Sequence, residues 1–299
     1  MKNNIVALGR QPQIDMTIKG LAERYLESLR CSGRSDHTLI NYRNDLAKIG
    51  SFYPGPIDSL TPESLEQFFA GLHAMSPATQ KRIRSTVSSF LAYCTRREYL
   101  ARNPMDRLER PSFQKDQASR PKHLSSDQFK AVLRYLGEEA RLAAILSWHG
   151  GFRLSEVLSI TLPEINAQER FIEITVRGKG NKRATVSLLD TKTIRALQGH
   201  MRKIQREGGV ALFTIPIRTL QWQFAEAVKK AGLLDAAGKP LFSWHALRHG
   251  CAVSLLEGGV PIDIISRHLR HSSIAVTQVY ARTSQERLVE ELGRYYSGR

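Results

Sequence analysis

The sequence predicts a mainly α protein with one small antiparallel β-sheet, divided into two units. Three observations carry this expectation. Apolar residues recur at three- and four-residue spacing along most of the chain, and several runs open on a helix-capping residue. Only one region, residues 170–188, has the make-up of two paired strands. A polar, charged stretch bounded by prolines, Pro111 to Lys122, separates two helical regions.

Residues 1–15 show no useful periodicity and are expected to form a mobile N-terminal tail. A helical unit over 16–110 follows. Its first helix carries Ile18, Leu21, Tyr25, Leu26 and Leu29 on one stripe. The second starts near Ser35 and carries Leu39, Tyr42, Leu46, Ile49 and Phe52. Thr61 before Pro62 is a capping residue followed by proline at the first helical position, where a missing N–H costs nothing. The third helix opens there, with Leu65, Phe68, Phe69 and Leu72 inward. Ser76-Pro77 repeats that signal and opens the fourth, with Ile83, Val87, Phe90 and Leu91 inward. Asn103-Pro104 is expected to stop the helical pattern.

After the linker at 111–122, a second unit spans 123–299. Ser125 to Gln128 has the form of a capping box. Helices are expected at about 126–136 and 139–149, and Gly150-Gly151 ends the second before another begins near Leu154. The runs Arg170–Val176 and Arg183–Leu188 read as two strands, joined by the turn-rich tip from Arg177 to Lys182. Helices resume beyond residue 190.

Charge narrows the function classes. Lys and Arg number 44 against 28 Asp and Glu, a formal net charge of +16. A chain that basic repels itself, and a polyanion such as nucleic acid relieves the repulsion. Ribosome-associated and membrane-surface proteins can be equally basic, so charge nominates nucleic acid without deciding for it. The three cysteines Cys31, Cys94 and Cys251 are scattered, which is neither a disulfide framework nor a zinc spacing and suits a reducing cytoplasm. No apolar run approaches the roughly 20 residues needed to span a bilayer, and Ile5 to Leu8 is too short for a signal-peptide core. A cytoplasmic, nucleoid-associated protein without a membrane partner is expected.

Four segments could carry chemistry: Gly151 to Glu156, the hairpin Gly178-Lys179-Gly180, His245 to His249, and Leu269 to Ile274 followed by Tyr280. Each has a bland reading when taken alone. Arg153 could form a local ion pair with Glu156, Lys179 could be a solvated turn residue, and Tyr280 could pack in a core. The hairpin glycines fit neither a Walker loop nor a dinucleotide fingerprint. His245 and His249 have the i, i+4 spacing of metal ligands, but position 246 is Ala where a zinc protease needs Glu. With no carboxylate cluster nearby, neither a metal nor a cofactor is expected.

Together the segments place two arginines, a lysine, histidines and a tyrosine in one ordered series in a basic chain. Guanidinium forks match the non-bridging oxygens of a phosphodiester. Without magnesium ligands, Arg and Lys would have to stabilise the phosphate charge. A tyrosine hydroxyl, with a pKa of about 10, needs a base and cationic surroundings to act as a nucleophile. The set suits attack on a DNA phosphate by tyrosine.

At these residues the sequence resembles the tyrosine recombinase (phage integrase) family, in its compact two-domain form. The family's Gly-Leu-Arg-x-Ser-Glu appears as Gly151 to Glu156 with Phe152 for Leu. The hairpin lysine matches Lys179, and His-x-x-Arg matches His245 and Arg248. Leu-Gly-His-x-Ser matches Leu269 to Ser273, with Arg270 in the glycine position, and the nucleophile matches Tyr280. The resemblance implies a SAM-like helical core-binding domain followed by an α+β catalytic domain, together clamping duplex DNA. It implies Arg153 and Arg248 on the scissile phosphate, His245 as proton acceptor, Lys179 as proton donor to the leaving oxygen, and His271 on a phosphate oxygen. Glu156 would orient its neighbours.

It further implies four protomers on two DNA sites, with accessory DNA-bending proteins as additional candidate partners. Leu288, Val289, Leu292 and Tyr295-Tyr296 would form a helix that docks into a neighbouring protomer rather than into its own core. Arg43, Lys81, Arg82 and Arg84 face away from the apolar stripes and are expected to contact DNA. Each phosphate so contacted would steepen the log–log salt dependence by about 0.9. The rivals are a topoisomerase that only cuts and reseals, an inactive DNA-binding regulator, and a metal-dependent nuclease.

Overall fold

A computed structural model describes residues 14–109, 123–168, 170–177, 183–271 and 273–278. The tail at 1–13, residues 110–122 of the expected linker region, the hairpin tip with Lys179, Tyr280 and the expected C-terminal docking helix lie outside the described residues. The chain divides into two compact units between Lys115 and Asp116.

The N-terminal unit is built from α1 (Ile18–Cys31), α2 (Asp36–Phe52), α3 (Pro62–Ala70) and α4 (Pro77–Arg96). All four start on a hydroxyl residue. The side chains of Thr17, Ser35, Thr61 and Ser76 accept from the backbone N–H groups of Gly20, Thr38, Ser64 and Thr79, satisfying donors that the first helical turn leaves open. Ile18, Leu21, Leu46, Ile49, Leu65, Ile83, Val87, Phe90 and Leu91 form one core. Burying each such side chain stabilises the fold by about 1.5–3 kcal/mol relative to its exposed state.

Three details depart from the sequence expectation. Phe52, assigned to the inward stripe of α2, is 47% exposed. It sits on the last turn, past the core, and covers one side of Phe68 at a ring separation of 5.6 Å. α4 ends at Arg96, before Asn103-Pro104, because Glu98 adopts φ 62°. That left-handed turn lets the Tyr99 N–H cap the Cys94 carbonyl at 2.9 Å. Asp45 lies on the buried face of α2 and is fully enclosed. It accepts from the Arg82 guanidinium and, at 3.0 Å, from the Thr86 hydroxyl, so a charge-assisted bond ties α2 to α4.

The C-terminal unit begins with α5 (Ser126–Leu133), α6 (Glu138–His149) and α7 (Leu154–Leu158). The capping box at Ser125 and Gln128 forms in both directions. The sheet follows: β1 (Ile165–Ala167), β2 (Ile172–Arg177) and β3 (Arg183–Leu188), antiparallel in the order β1-β2-β3. Ile174 pairs with both Ile165 and Val186. Ile172, Ile174 and Val176 point inward from β2, and Val186 and Leu188 from β3. β1 has no counterpart among the strands the sequence predicts, since a three-residue strand carries too little alternation to show.

Then come α8 (Thr191–Arg206), α9 (Ile217–Lys230), α10 (His245–Glu257), α11 (Ile262–His268) and α12 (Ile274–Gln278). α6 is the central helix: Ala140, Leu142, Ala143, Ala144, Leu146, Ser147 and Trp148 are all buried. α10 lies against it, with the Trp244 indole N–H donating to the Ser147 hydroxyl at 3.1 Å. A Cβ on Gly250 would stand 2.2 Å from the Trp148 ring, so this helix crossing requires glycine. The sheet and α6 together form a frame on which α7, α10 and the segment after α11 are held.

Candidate active site

Three of the sequence-nominated segments converge in the C-terminal unit. Arg153 precedes α7 and Glu156 lies in its first turn, His245, Arg248 and His249 lie on α10, and His271 follows α11. The local chain explains this placement. α6 stops at His149, and Gly151 reverses the backbone at φ 58°. A Cβ there would come within 2.3 Å of the Leu269 side chain, so only glycine lets the turn close on the segment that leads to His271.

Glu156 is the centre of the arrangement. Its residue is only 2% exposed. One carboxylate oxygen accepts from the Arg153 guanidinium at 2.5 Å. The other accepts from the Arg153 backbone N–H at 2.9 Å and from the Arg270 guanidinium at 2.8 Å. Arg248 Nη1 stands 3.9 Å from that second oxygen. Burial pushes the Glu156 carboxyl up, but Arg270 and Arg153 outweigh it and hold the group below the usual carboxylate range. One buried carboxylate therefore serves three guanidinium groups, a formal local charge of about +2. That excess of positive charge gives the site an electrostatic character suited to anions.

The two sequence-nominated arginines are held differently. The Arg153 side chain remains 39% exposed, free to reach a ligand while one Nη is anchored. Arg248 is 2% exposed, and its fork donates to the carbonyls of Gly151, at 2.5 Å, and Leu269. Both carbonyls belong to the turns that carry Arg153 and His271, so Arg248 joins them.

The histidines are tuned to be neutral. Burial, followed by the charges of Arg248 and Arg153, lowers the pKa of His245. Burial and the same arginines, with Arg270 and His245, push His271 down to about 4. His249, whose ring meets His245 edge-on at 4.5 Å, is likewise lowered to about 4 by burial, His245 and Arg248. His271 Nδ1 is 2.7 Å from the Thr277 hydroxyl. A neutral ring that accepts there carries its proton on Nε2, leaving a donor for an anion.

These shifts imply an acid weakness. The unfolded histidines titrate near pH 6.5, while folded His249 and His271 do so at about 4. The unfolded state therefore binds more protons in between, and stability falls as pH drops from about 6.5 towards 4. Glu156 adds a further loss below its ordinary value, because its folded pKa is depressed. Chemical denaturation at fixed ionic strength should show the midpoint falling steadily across that window. A flat midpoint from pH 6.5 to 4.5 would show that the rings are not held neutral by the fold.

Three of the four nominated cations of the N-terminal unit make contacts within that unit. Arg43 pairs with Glu23 at 3.3 Å, and Arg82 pairs with Asp45. Arg84 lies over the Phe69 ring at 4.7 Å and donates to the Glu109 carbonyl at 2.8 Å, so it turns partly inward. Lys81 is exposed.

Comparison with known proteins decides the family. Residues 119–287 match the model of the phage integrase family, and residues 22–98 match that of the phage integrase N-terminal SAM-like domain. The chain belongs to the phage integrase family of tyrosine recombinases. Similar curated relatives include tyrosine recombinase XerC of Mycobacterium sp. (strain JLS), 31% identical over 86% of this chain and 91% of the relative. XerC of Mycobacterium tuberculosis is 30% identical over 89% of this chain and 94% of its own.

The fold of this tyrosine recombinase is also that of XerH bound to a palindromic difH substrate, with TM-score 0.72 and 19% identity over 92% of this chain and 84% of that one. A lambda integrase dimer bound to a COC′ core site gives TM-score 0.71 and 19% identity, covering 87% and 97%. Among the described residues of this recombinase, no three His, Cys, Asp or Glu side chains are grouped to hold a metal ion. No described helix is long and apolar enough to cross a membrane.

Sequence reasoning missed Arg270 as a member of the site. In the sequence it stands out only as a departure from glycine beside His271. A second departure, Phe152 for Leu, was the available signal: the Arg270 guanidinium lies over the Phe152 ring at 5.1 Å. Arg270 holds φ 55°, a conformation that costs a non-glycine residue about 1–2 kcal/mol.

Proposed function

We propose that this protein is a site-specific DNA recombinase that cuts and rejoins duplex DNA through a 3′-phosphotyrosyl intermediate, without metal. The observation that carries the reading is the shared buried carboxylate of Glu156, which collects Arg153, Arg248 and Arg270 beside histidines held neutral.

The chemistry follows from those groups. Arg153 and Arg248 neutralise the scissile phosphate and stabilise the extra charge of its pentacovalent transition state. Tyr280 attacks phosphorus. The bond from its oxygen to phosphorus forms, the bond to the 5′-oxygen breaks, and the tyrosine proton passes to neutral His245. Lys179 gives a proton to the departing 5′-oxygen. His271 donates from Nε2 to a non-bridging oxygen, and Glu156 keeps the arginines in place. Because the phosphodiester energy is kept in the tyrosyl link, a 5′-hydroxyl from a second duplex can reverse the step without ATP. Two rounds, passing through a Holliday junction, exchange both strands. Integration, excision, inversion and resolution all use this sequence of steps. Four protomers on two DNA sites, with DNA-bending proteins as accessory partners, are the assembly that supplies those strands.

The test uses two duplexes bearing a site captured from genomic fragments, incubated with the protein and excess chelator. Joint molecules containing one arm of each duplex are expected. Cutting that stops on chelation would indicate a metal-dependent nuclease. Resealing that never exchanges arms between duplexes would indicate a topoisomerase.

A further inference from the structure

We infer that Arg270 is an additional positioning residue for strand cleavage, working with Phe152 to hold the turn and the carboxylate on which Arg153 and Arg248 depend. The inference rests on the recombinase reading and deepens it.

The contacts of Arg270 all lead to the site. Its Nη1 donates to the carbonyls of His268, at 2.9 Å, and Gly150, at 3.3 Å. Its Nη2 donates to the Gly151 carbonyl at 3.0 Å and to Glu156 at 2.8 Å. The side chain is 9% exposed, which makes it a built-in member rather than a surface cation. Gly151 is the shared point: its carbonyl accepts from Arg248 as well as from Arg270. Two buried arginines thus clasp the peptide that sets the direction of Phe152 and Arg153. The Phe152 ring, 1% exposed, forms the platform under the Arg270 guanidinium.

A second effect is electrostatic. Arg270 occupies one oxygen of Glu156 more closely than Arg248 does, at 2.8 Å against 3.9 Å. The carboxylate is therefore shared, and the charge of Arg248 is less fully cancelled by it. A glycine at 270 would leave Glu156 to Arg153 and Arg248 alone, reducing the local positive charge by one unit. The backbone shows that the arginine is there for its side chain. At φ 55° glycine would suit the turn better, and the strain is offset by the bonds the guanidinium makes.

The experiment compares wild type, Arg270→Gly and Arg270→Lys on a nicked duplex carrying the captured site, which traps the covalent adduct in a single turnover. Arg270→Gly suits the backbone and should fold. At saturating DNA its rate of adduct formation should fall about 10- to 100-fold, the loss expected for charged hydrogen bonds that orient a reacting group. DNA affinity should change by less than about 3-fold, because Arg270 is buried.

The acid limb of the pH–rate profile should also move to higher pH, since Glu156 and His271 both protonate more readily without the Arg270 charge. Arg270→Lys restores a charge without the fork, so it should return the acid limb to the wild-type position and recover part of the rate. An unchanged rate at saturating DNA would overturn the inference. So would a slower Arg270→Gly whose pH limb stays in place and which Arg270→Lys does not improve, since that pattern marks a role in folding alone. Wild type that forms no adduct would instead remove the recombinase reading itself, and this inference with it.

Discussion

Replacing Glu156 by alanine should destabilise the C-terminal unit by roughly 3–5 kcal/mol, the range for removing one partner of a buried ion pair. The reason is the imbalance at the site. The carboxylate is buried, directly bonds Arg153 and Arg270, and stands 3.9 Å from Arg248. Its loss leaves three cations facing one another, two of them enclosed. The cost of their mutual repulsion and lost hydration outweighs the surface-type gain of any single pair, which is at most about 1 kcal/mol. A unit of this size should lose roughly 6–20 °C in Tm. Calorimetry, with the two units followed as separate transitions, checks it. A shift confined to the N-terminal unit, or less than about 1 kcal/mol in the C-terminal one, would mean that the arginines are not balanced by Glu156.

Arg248→Lys should lower the cleavage rate at saturating DNA by about 10²–10³-fold, because it misplaces a donor to the developing anion and also breaks the fork that ties two turns of the site. Lysine keeps the charge, so a purely electrostatic role would spare most of the rate. What it cannot keep is the fork. Arg248 spans the Gly151 and Leu269 carbonyls from one planar group, and an ammonium presents no second arm at that separation. The turns that carry Arg153 and His271 would then lose their common tie. Single-turnover adduct formation, with DNA binding measured in parallel, separates this from weakened association. A rate within about 10-fold of wild type would show that Arg248 acts as a point charge.

Much of this was legible in the sequence because it is encoded locally. Thr61-Pro62, Ser76-Pro77 and the box at Ser125 and Gln128 place three helix starts by chemistry that acts over three residues. The pair Ile172–Arg177 and Arg183–Leu188 shows because its inward apolar residues, most of them β-branched, alternate with polar ones. The order of Arg153, His245, Arg248 and His271 was readable as a family pattern, and the fold brings these four together.

What escaped detection depends on tertiary partners. β1 exists because β2 offers it an edge, and its own three residues do not announce it. Asp45 appears in sequence as an ordinary helical carboxylate; only the approach of Arg82 and Thr86 from α4 makes it a buried tie. Arg270 looked like an intrusion at a glycine position. Its reason is visible only when Phe152, Gly151 and Glu156, all more than 110 residues earlier, stand against it.

The assignment of Tyr280 as nucleophile is the central claim, and covalent capture tests it most directly. Wild type and Tyr280→Phe would each be incubated with genomic fragments in chelator, quenched with detergent, and the DNA bound to protein sequenced at its ends. The predicted result is a set of wild-type adducts that share one sequence at the 3′ junction and are absent from Tyr280→Phe. Adducts that persist undiminished in Tyr280→Phe would contradict it, because another side chain would then be carrying the DNA.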